Sequence, residues 1–238
     1  MLIRFVTSNF LSFKDETEFN MLNGAGKSNL IKAIAFFKSI IDRGALKELP
    51  PKHKASPEML EKPTSFEIEF ITSSSSFYYR LIIDGGRILN EELVKTSSRK
   101  DDEVIFERET NFMNEQKLNL HQRYLQSEQD KVRKQLLEDE FIVFNKPFLT
   151  LAAKLKENKI KEIGEAFEWI TKKLIIIFPR TEADYILTAF IFSKKFHRFS
   201  NELMCGFDTG ITKIDAETLT LDEYYGKDNA KDAKVTAD

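Results

Sequence analysis

This chain of 238 residues has little of three things: cysteine, long apolar runs and net charge. Its single cysteine, Cys205, excludes a disulfide framework within the chain and fits a reducing cytosol. Its longest apolar run, residues 174–178, is far too short to cross a bilayer, and residues 1–13 lack the pattern of a signal peptide. We therefore expect a cytoplasmic protein with no membrane partner.

The charge balance limits the partners that the chain as a whole can attract. The formal net charge is −2, from 36 basic and 38 acidic side chains, so contact with nucleic acid would need a local basic patch. Apolar material is plentiful, because hydrophobic residues make up 42% of the chain and 21 residues are phenylalanine. This composition predicts a sizeable core and argues against a disordered protein.

One stretch has specific chemistry. Residues 23–28, Asn-Gly-Ala-Gly-Lys-Ser, match the end of a phosphate-binding loop, whose full pattern is Gly, four residues, Gly-Lys-Ser/Thr. Gly24 and Gly26 let the backbone turn tightly and bring its N–H groups close to phosphate oxygens. Lys27 supplies a positive charge for the β- and γ-phosphates, and Ser28 offers a hydroxyl to Mg²⁺. The helix that begins here directs the positive end of its dipole at the anion.

We therefore predict ATP and Mg²⁺ as cofactors, with Ser28 as the metal ligand. The predicted cofactor-binding residues are Asn23, Gly24, Ala25, Gly26, Lys27, Ser28 and Asn29.

The residues before the loop depart from the pattern. The leading glycine should stand at position 21, where the sequence has Met21, and no hydrophobic strand enters the loop in the usual way. Either the loop is degenerate, or residues that normally precede Asn23 are missing from the sequence. We favour the second explanation, because a loop intact from Asn23 to Ser28 rarely survives without its closing glycine. The remaining alternative is a chance Gly-Ala-Gly turn capped by Ser28.

Hydrophobic periodicity predicts the elements around the loop. We expect strands at residues 1–6 and 16–21, joined by a turn at residues 9–13, and a helix over residues 28–43 that ends at Gly44. Four further strands should form an antiparallel meander, at residues 65–71, 77–84, 88–95 and 102–108. Residues 49–54 are predicted to form a linker, in which we expect His53 to be solvated.

The second half of the chain is predicted to be helical. We expect helices at residues 114–139, 149–156, 160–178 and 181–205, and a short strand at residues 211–214. A basic cluster with interleaved phenylalanines is either a DNA or RNA contact or, as we favour, a helix end with buried rings. Its basic members are Lys194, Lys195, His197 and Arg198. After Tyr225 we expect a disordered or discontinuous tail, and we expect the gene product to continue past Asp238.

Hydrolysis of ATP needs more than a phosphate-binding loop. It needs an acidic residue at the end of a buried strand to hold Mg²⁺, and a group that orients water. The nearest match is Leu-Thr-Leu-Asp-Glu at residues 219–223, which is too polar for a buried strand. No Leu-Ser-x-Gly signature appears in the sequence. The catalytic residues therefore remain unknown.

Three segments taken together narrow the choice of family. They are Met-Leu-Ile-Arg-Phe at residues 1–5, Asn-Phe-Leu-Ser-Phe-Lys-Asp at residues 9–15, and the loop and helix start at residues 23–30. This combination resembles the N-terminus of bacterial AAA-family ATP-binding proteins with ABC-type heads, which are related to the RecF, SMC and OLD (overcoming lysogenization defect) ATPases. Residues 207–211, Phe-Asp-Thr-Gly-Ile, also resemble a segment that precedes the signature in these proteins.

The resemblance implies an α/β fold, in which a P-loop ABC-type ATPase head carries an antiparallel β-lobe and a helical insertion. Residues 1–113 would form the N-terminal half of the head, residues 114–205 the helical insertion, and residues 206–238 a return to the head with the tail. Residues Asn23 to Ser28 would bind the phosphates, and the turn at residues 9–13 would lie near the adenine or ribose.

The same resemblance implies an ATPase subunit of an anti-phage defence complex. Two heads of a homo-oligomer would close over ATP, each supplying its signature to the other's nucleotide, and the complex would control an effector protein such as a nuclease or toxin. Two alternatives stay open. One is a DNA-repair ATPase of the RecF or SMC type, with DNA as a partner, and the other is a non-catalytic scaffold with a degenerate loop.

Overall fold

A seven-stranded antiparallel sheet forms the centre of the computed structural model. The strands are β1 Leu2–Ser8, β2 Thr17–Glu18, β3 Thr64–Ile71, β4 Ser76–Asp84, β5 Arg87–Thr96, β6 Glu103–Thr110 and β7 Gln116–Leu120. Their order across the sheet is β2-β1-β3-β4-β5-β6-β7. The chain from β3 to β7 is thus a meander, and the predicted strands of this meander are confirmed with bounds shifted by one or two residues.

The structure describes residues 1–18, 27–97, 101–155, 160–176, 188, 190–206, 210–216, 219–220 and 223. Contacts divide the chain into two compact units, Met1–Ile176 and Ile177–Asp238, and each unit is described by itself. Together the sheet and the helices below make a mixed α/β structure, whereas the finer assignment of its domains stays a prediction.

Helix α1, Lys27–Arg43, confirms the helix predicted over residues 28–43. Its apolar face packs on the sheet and buries Leu30, Ala33, Phe37, Ile40 and Ile41. Gly44 ends the helix with a φ of +70°, which a glycine adopts without steric cost. An added Cβ would also lie 3.0 Å from the Thr150 side chain, so both the positive φ and the close contact favour glycine at this position.

Aromatic rings fix α1 against the sheet. The Phe66 ring on β3 lies 5.5 Å from Phe10, 5.9 Å from Phe36 and 6.2 Å from Phe37, measured between ring centroids. Phe36 and Phe37 belong to α1, whereas Phe10 belongs to the turn after β1. The same cluster therefore holds both the helix and the turn, through packing contacts that add to the burial of the rings.

Three more helices belong to the first unit: α2 Glu128–Leu136, α3 Phe148–Lys154 and α4 Lys161–Glu168. Five-residue π-helical turns extend α2 through Phe141 and α4 through Lys173, and short 3-10 turns occupy Pro57–Glu61 and Gln122–Tyr124. The helix predicted over residues 160–178 is thus too long, because the backbone is extended at Leu174. None of the helices within the described residues is long and apolar enough to cross a membrane.

The helix predicted over residues 114–139 is wrong in its first half. Residues Gln116–Leu120 form β7 and pair with β6, because Leu118 points into the core between the exposed Lys117 and Asn119. That alternation has the period of a strand. Helix α2 begins only after Ser127, whose hydroxyl accepts the Asp130 N–H in a capping box.

The second unit contains α5, Lys194–Gly206, which confirms the C-terminal part of the predicted helix. Residues 181–187 and 189 of that prediction lie outside the described residues. The strand predicted at residues 211–214 is wrong, because this segment has no regular structure. Its backbone is satisfied by a side chain instead: Asn201 accepts the Ile214 N–H at 2.6 Å and donates to the Ile214 carbonyl at 2.9 Å.

Candidate nucleotide-binding site

The start of α1 is the described part of the predicted phosphate-binding loop. The helix begins at Lys27, and its first turn carries no acidic side chain. Backbone N–H groups at a helix start lack partners within the helix and favour an anion, as does the helix dipole. Ser28 is exposed at this point, and Asn29 is half-buried. The side chain of Lys27 lies outside the described residues, and so do Met21, Asn23, Gly24, Ala25 and Gly26.

The turn at residues 9–13 lies against this helix start. Asn29 Nδ2 donates a hydrogen bond of 2.9 Å to Ser12 Oγ. A serine hydroxyl that accepts one hydrogen bond still has its own proton to donate, and Ser12 is exposed. The structure thus brings together two of the segments that carry the family resemblance, and it places an exposed hydroxyl donor at their junction.

The turn holds one residue in a conformation that it does not favour. Asn9 and Leu11 have φ values of 50° and 49°, in the left-handed region. Asparagine tolerates that region, whereas it costs a residue such as leucine about 1–2 kcal/mol. Phe10 and Phe13 close the turn through reciprocal backbone hydrogen bonds of 3.0 and 2.9 Å, and both rings are buried. Such a conformation persists because the surrounding structure determines it.

Asn9 supplies much of that surrounding support. Its side chain is fully buried, and Nδ2 donates to the carbonyls of Met59 at 2.6 Å and Lys62 at 2.8 Å. Its Oδ1 accepts the His53 N–H at 3.1 Å, while its backbone carbonyl accepts the Thr64 hydroxyl at 3.0 Å. Through its side chain and its backbone carbonyl, this one residue therefore ties the turn to residues that lie 44 to 55 positions later in the chain.

The linker after α1 closes over the same turn. The Pro51 carbonyl accepts the Leu11 N–H at 2.8 Å, and the His53 ring Nδ1 lies 3.0 Å from the Leu11 carbonyl oxygen. Lys52 fixes the linker to the sheet through Asp84 at 2.7 Å. The expectation that His53 is simply solvated is therefore wrong, because its backbone and its ring both contact the turn.

A second buried polar centre was not foreseen from the sequence. Glu91 and Arg108 are both fully buried and form an ion pair at 3.3 Å. Glu91 also accepts the Tyr79 hydroxyl at 2.9 Å and the N–H groups of Phe148 and Leu149 at 2.6 and 2.7 Å. This centre caps α3 from the sheet, so its role is structural. The one sequence signal is a charged residue at an inward position of β5.

Burial shifts the pKa values of Tyr79 and Arg108 in the direction that favours the neutral form of each side chain. Removal from water raises the pKa of the Tyr79 hydroxyl well above its ordinary value, and the neighbouring Glu91 carboxylate raises it further. Removal from water also lowers the pKa of the Arg108 guanidinium, although Glu91 opposes that shift. Arg108 nevertheless donates to the carbonyls of Lys146 at 2.6 Å and Val143 at 2.9 Å, so its charge is surrounded by acceptors.

The acidic segment at residues 219–223 does not resemble a magnesium-holding strand in its described part. Glu223 is exposed, and its carboxylate accepts the N–H and the hydroxyl of Thr220, each at 2.7 Å. Leu219 is also exposed. Within the described ranges, no group of three or more His, Cys, Asp or Glu side chains could hold a metal ion.

The basic cluster of the second unit is partly balanced by carboxylates. His197 lies 3.6 Å from Asp215, and Arg198 lies 3.9 Å from Glu202. The His197 ring also packs 4.5 Å from the Phe190 ring, whereas Phe192 and Phe199 are exposed. The favoured prediction, a helix end with its rings buried, is thus wrong for Phe192.

Comparison with known proteins identifies the first unit's family. A family model described as "AAA domain, putative AbiEii toxin, Type IV TA system" matches residues 22–142, which is just over half of the 238-residue chain. The match begins just before the predicted phosphate-binding loop and ends after α2. No curated protein and no solved structure matches the chain.

Proposed function

The chain belongs to this AAA family of P-loop ATPases, and on that premise we propose that it binds and hydrolyses ATP with Mg²⁺ at the start of α1. The head is of the ABC type, and its nucleotide-dependent assembly into a homo-oligomer controls an effector protein in an anti-phage defence complex. The family description, which names a toxin and a type IV TA system, supports that setting.

The observation that carries this proposal is the contact between Asn29 and Ser12. It places an exposed hydroxyl beside a helix start whose first turn has no carboxylate to repel an anion. The turn that supplies Ser12 is held by the buried Asn9 amide, and such support keeps a binding group in one position before the ligand arrives.

The residues have separate roles in this proposal. Gly24 and Gly26 bring backbone N–H groups to the phosphates, and Lys27 neutralises the β- and γ-phosphates. Ser28 fits Mg²⁺, because an exposed hydroxyl in the first helical turn supplies the hard oxygen that this ion prefers. The bound metal would neutralise charge that develops on the phosphates. Ser12 donates its free proton to the nucleotide.

The test is the binding of a fluorescent ATP analogue in the presence of Mg²⁺. We expect Lys27→Ala to weaken binding by roughly tenfold or more, because hydrogen bonds to charged groups contribute about 1.5–3 kcal/mol. The matched control is Lys32→Ala, since Lys32 is an exposed lysine of the same helix. Equal affinities for the wild-type protein and Lys27→Ala would overturn the proposal and favour the scaffold with a degenerate loop.

The defence setting needs a separate test in cells. We expect a host that expresses the protein with its neighbouring genes to resist phage, and Lys27→Ala to restore plaque formation. The DNA-repair alternative has less support, because the net charge is −2 and two members of the basic cluster already face carboxylates. Strong DNA binding by the protein alone, falling steeply with salt, would favour that alternative instead.

A further inference from the structure

The linker after α1 contacts both residues of the turn that have a positive φ. The His53 N–H donates to Asn9 Oδ1 at 3.1 Å, and the His53 ring Nδ1 lies 3.0 Å from the Leu11 carbonyl oxygen. A carbonyl oxygen can only accept, so the proton of the second hydrogen bond belongs to Nδ1. His53 therefore holds the turn at two points, one through its backbone and one through its side chain.

Leu11 is the position of the turn that most needs such support. Its φ of 49° lies in the left-handed region, which a leucine adopts only at a cost in energy. Its side chain is only half-buried, so packing does little to hold it there. The linker binds both of its backbone polar groups instead, because the Pro51 carbonyl also accepts the Leu11 N–H at 2.8 Å. Such a backbone conformation persists where neighbouring groups impose it.

The linker is itself fixed by contacts that do not involve the turn. Lys52 Nζ donates to the Asp84 carboxylate at 2.7 Å and to the Leu60 carbonyl at 2.8 Å. Two successive prolines, Pro50 and Pro51, restrict the backbone just before Lys52, and Pro50 is buried. The His53 ring therefore extends from a rigid support, as a group that positions another group must.

The backbone of Leu11 matters to the candidate site because Ser12 follows it directly. The Ser12 hydroxyl accepts the hydrogen bond of 2.9 Å from Asn29 Nδ2 at the start of α1. Among the residues that the structure describes, Asn29 is its one hydrogen-bond partner, and the Ser12 side chain is exposed. The dihedral angles of Leu11 set the direction of the chain into Ser12, so relaxation of Leu11 would move this hydroxyl away from α1.

We infer that His53 is a positioning residue of the candidate nucleotide site. Its ring holds the Leu11 carbonyl, and this contact sets the direction in which Ser12 presents its hydroxyl to the nucleotide. His53 acts through Leu11 and Ser12, and it needs no contact of its own with the ligand. The inference rests on the proposed function, because that proposal is what gives Ser12 a nucleotide to bind.

The test uses two substitutions of His53, both of which keep the backbone N–H that bonds Asn9. His53→Leu removes the ring donor at similar size, whereas His53→Asn places an amide N–H close to the position of Nδ1. In the presence of Mg²⁺, we expect His53→Leu to weaken binding of the fluorescent ATP analogue by roughly three- to tenfold, which is the factor that one hydrogen bond contributes. His53→Asn should bind like the wild-type protein.

His121 provides the matched control. It is also a half-buried histidine whose ring makes a hydrogen bond with the backbone, because its Nδ1 accepts the Arg123 N–H at 3.3 Å. That bond lies in the 3-10 turn Gln122–Tyr124, which follows β7 at one edge of the sheet, whereas the turn at residues 9–13 follows β1 near the other edge. His121→Leu should therefore leave the affinity for the ATP analogue unchanged.

A double-mutant cycle with Ser12→Ala separates positioning from a general loss of stability. If His53 acts through Ser12, His53→Leu should weaken binding in the wild-type background and have no further effect in the Ser12→Ala background. A general loss of stability would weaken binding by the same factor in both backgrounds. Urea denaturation of each variant measures that loss directly.

The failure of this inference can be distinguished from the failure of the proposed function. If Lys27→Ala binds the analogue as tightly as the wild-type protein, the proposed function fails and this inference fails with it. If Lys27→Ala loses binding, the proposed function stands. The inference alone is then overturned if His53→Leu keeps the wild-type affinity, if His53→Asn binds as weakly as His53→Leu, or if His53→Leu weakens binding equally in the Ser12→Ala background.

Discussion

Two buried polar centres hold two different parts of the first unit. Asn9 fixes the turn beside α1, and Glu91 fixes the start of α3. Both side chains are fully buried, and each has at least three hydrogen-bond partners. They differ in charge: Asn9 is a neutral amide, whereas Glu91 needs the guanidinium of Arg108.

This difference predicts different costs of disruption. A neutral amide has donors and an acceptor of its own, so backbone groups alone can satisfy it. A buried carboxylate only accepts, and if its counterion is removed an uncompensated charge remains in the interior. The charged centre should therefore be the more sensitive of the two to the loss of one partner, although it lies away from the candidate nucleotide site.

The largest effect is expected from removal of the counterion. Arg108→Met should lower the free energy of unfolding by about 3–5 kcal/mol, because it leaves Glu91 charged and buried without its partner. The variant should be measured by urea denaturation with the slope checked against the wild-type protein. A cost below 1 kcal/mol would show that Tyr79 and the two backbone N–H groups suffice for Glu91.

A double variant separates charge from packing. In Glu91→Gln/Arg108→Met the buried charge is gone, and the single amide oxygen can still accept the Leu149 N–H and the Tyr79 hydroxyl, which share one oxygen of Glu91. The amide NH2 would then face the Phe148 N–H, which loses its acceptor. We expect this protein to be more stable than Arg108→Met alone, and a double-mutant cycle measures the coupling between the two sites. If the double variant is the less stable of the two, the charge is not the source of the cost.

A smaller effect is expected at the neutral centre, in two parts. Asn9→Gly keeps the φ of 50° without strain but loses the hydrogen bonds of the amide, so we expect a loss of about 1–3 kcal/mol. Asn9→Ala should cost a further 1–2 kcal/mol or so, because alanine is strained in the left-handed region. Denaturation measures both parts, and binding of the ATP analogue should also weaken in both variants if the turn supports that site.

Asn114 provides the matched control for the neutral centre. It also has a positive φ, of 65°, but it is exposed. Asn114→Gly should therefore change stability by less than about 0.5 kcal/mol. If Asn9→Gly is equally mild, the long-range hydrogen bonds of Asn9 do not stabilise the fold.

Part of this fold could be predicted from the sequence alone. The meander from β3 to β6 and the helix α1 follow from hydrophobic period, because each element buries one face against a neighbour. Gly44 could be predicted as the helix end for the same local reason. The resemblance further singled out the turn at residues 9–13, and the structure places it against the start of α1.

The polar centres could not be predicted, because their partners are distant in the chain. The Asn9 amide makes hydrogen bonds to residues 44 to 54 positions away, and the Glu91 carboxylate accepts hydrogen bonds from backbone groups 57 and 58 positions away. Local periodicity carries no information about such pairs. The sequence does not predict strand β7 for a different reason. The strand lies in a polar stretch with few apolar residues, and its single buried side chain, Leu118, gives a weak alternating signal.

A second carboxylate, next in sequence to Glu91, sharpens the comparison. Glu92 points to the other face of the sheet, where Arg80 on the neighbouring strand β4 lies 3.2 Å away and Glu107 is its register partner on β6. Burial raises the pKa of Glu92, and the charges of Glu107 and Glu67 raise it further, whereas Arg80 lowers it. Glu92 is thus a carboxylate whose surroundings do not fully compensate its charge.

The smallest predicted effect follows from that raised pKa. Because the folded protein holds the Glu92 proton more tightly than the unfolded chain, protonated Glu92 stabilises the fold below about pH 4, and this contribution is lost as pH rises through the folded pKa. Because Glu92→Gln stays neutral, we expect its free energy of unfolding to equal that of the wild-type protein in acid. At pH 7 it should be higher than that of the wild-type protein, by less than about 1 kcal/mol. Glu109→Gln, exposed on β6, should show no such crossover in urea denaturation at pH 3.5 and pH 7. A loss of stability in Glu92→Gln at pH 7 would mean that Arg80 compensates Glu92 as fully as Arg108 compensates Glu91, and the contrast between the two faces of β5 would disappear.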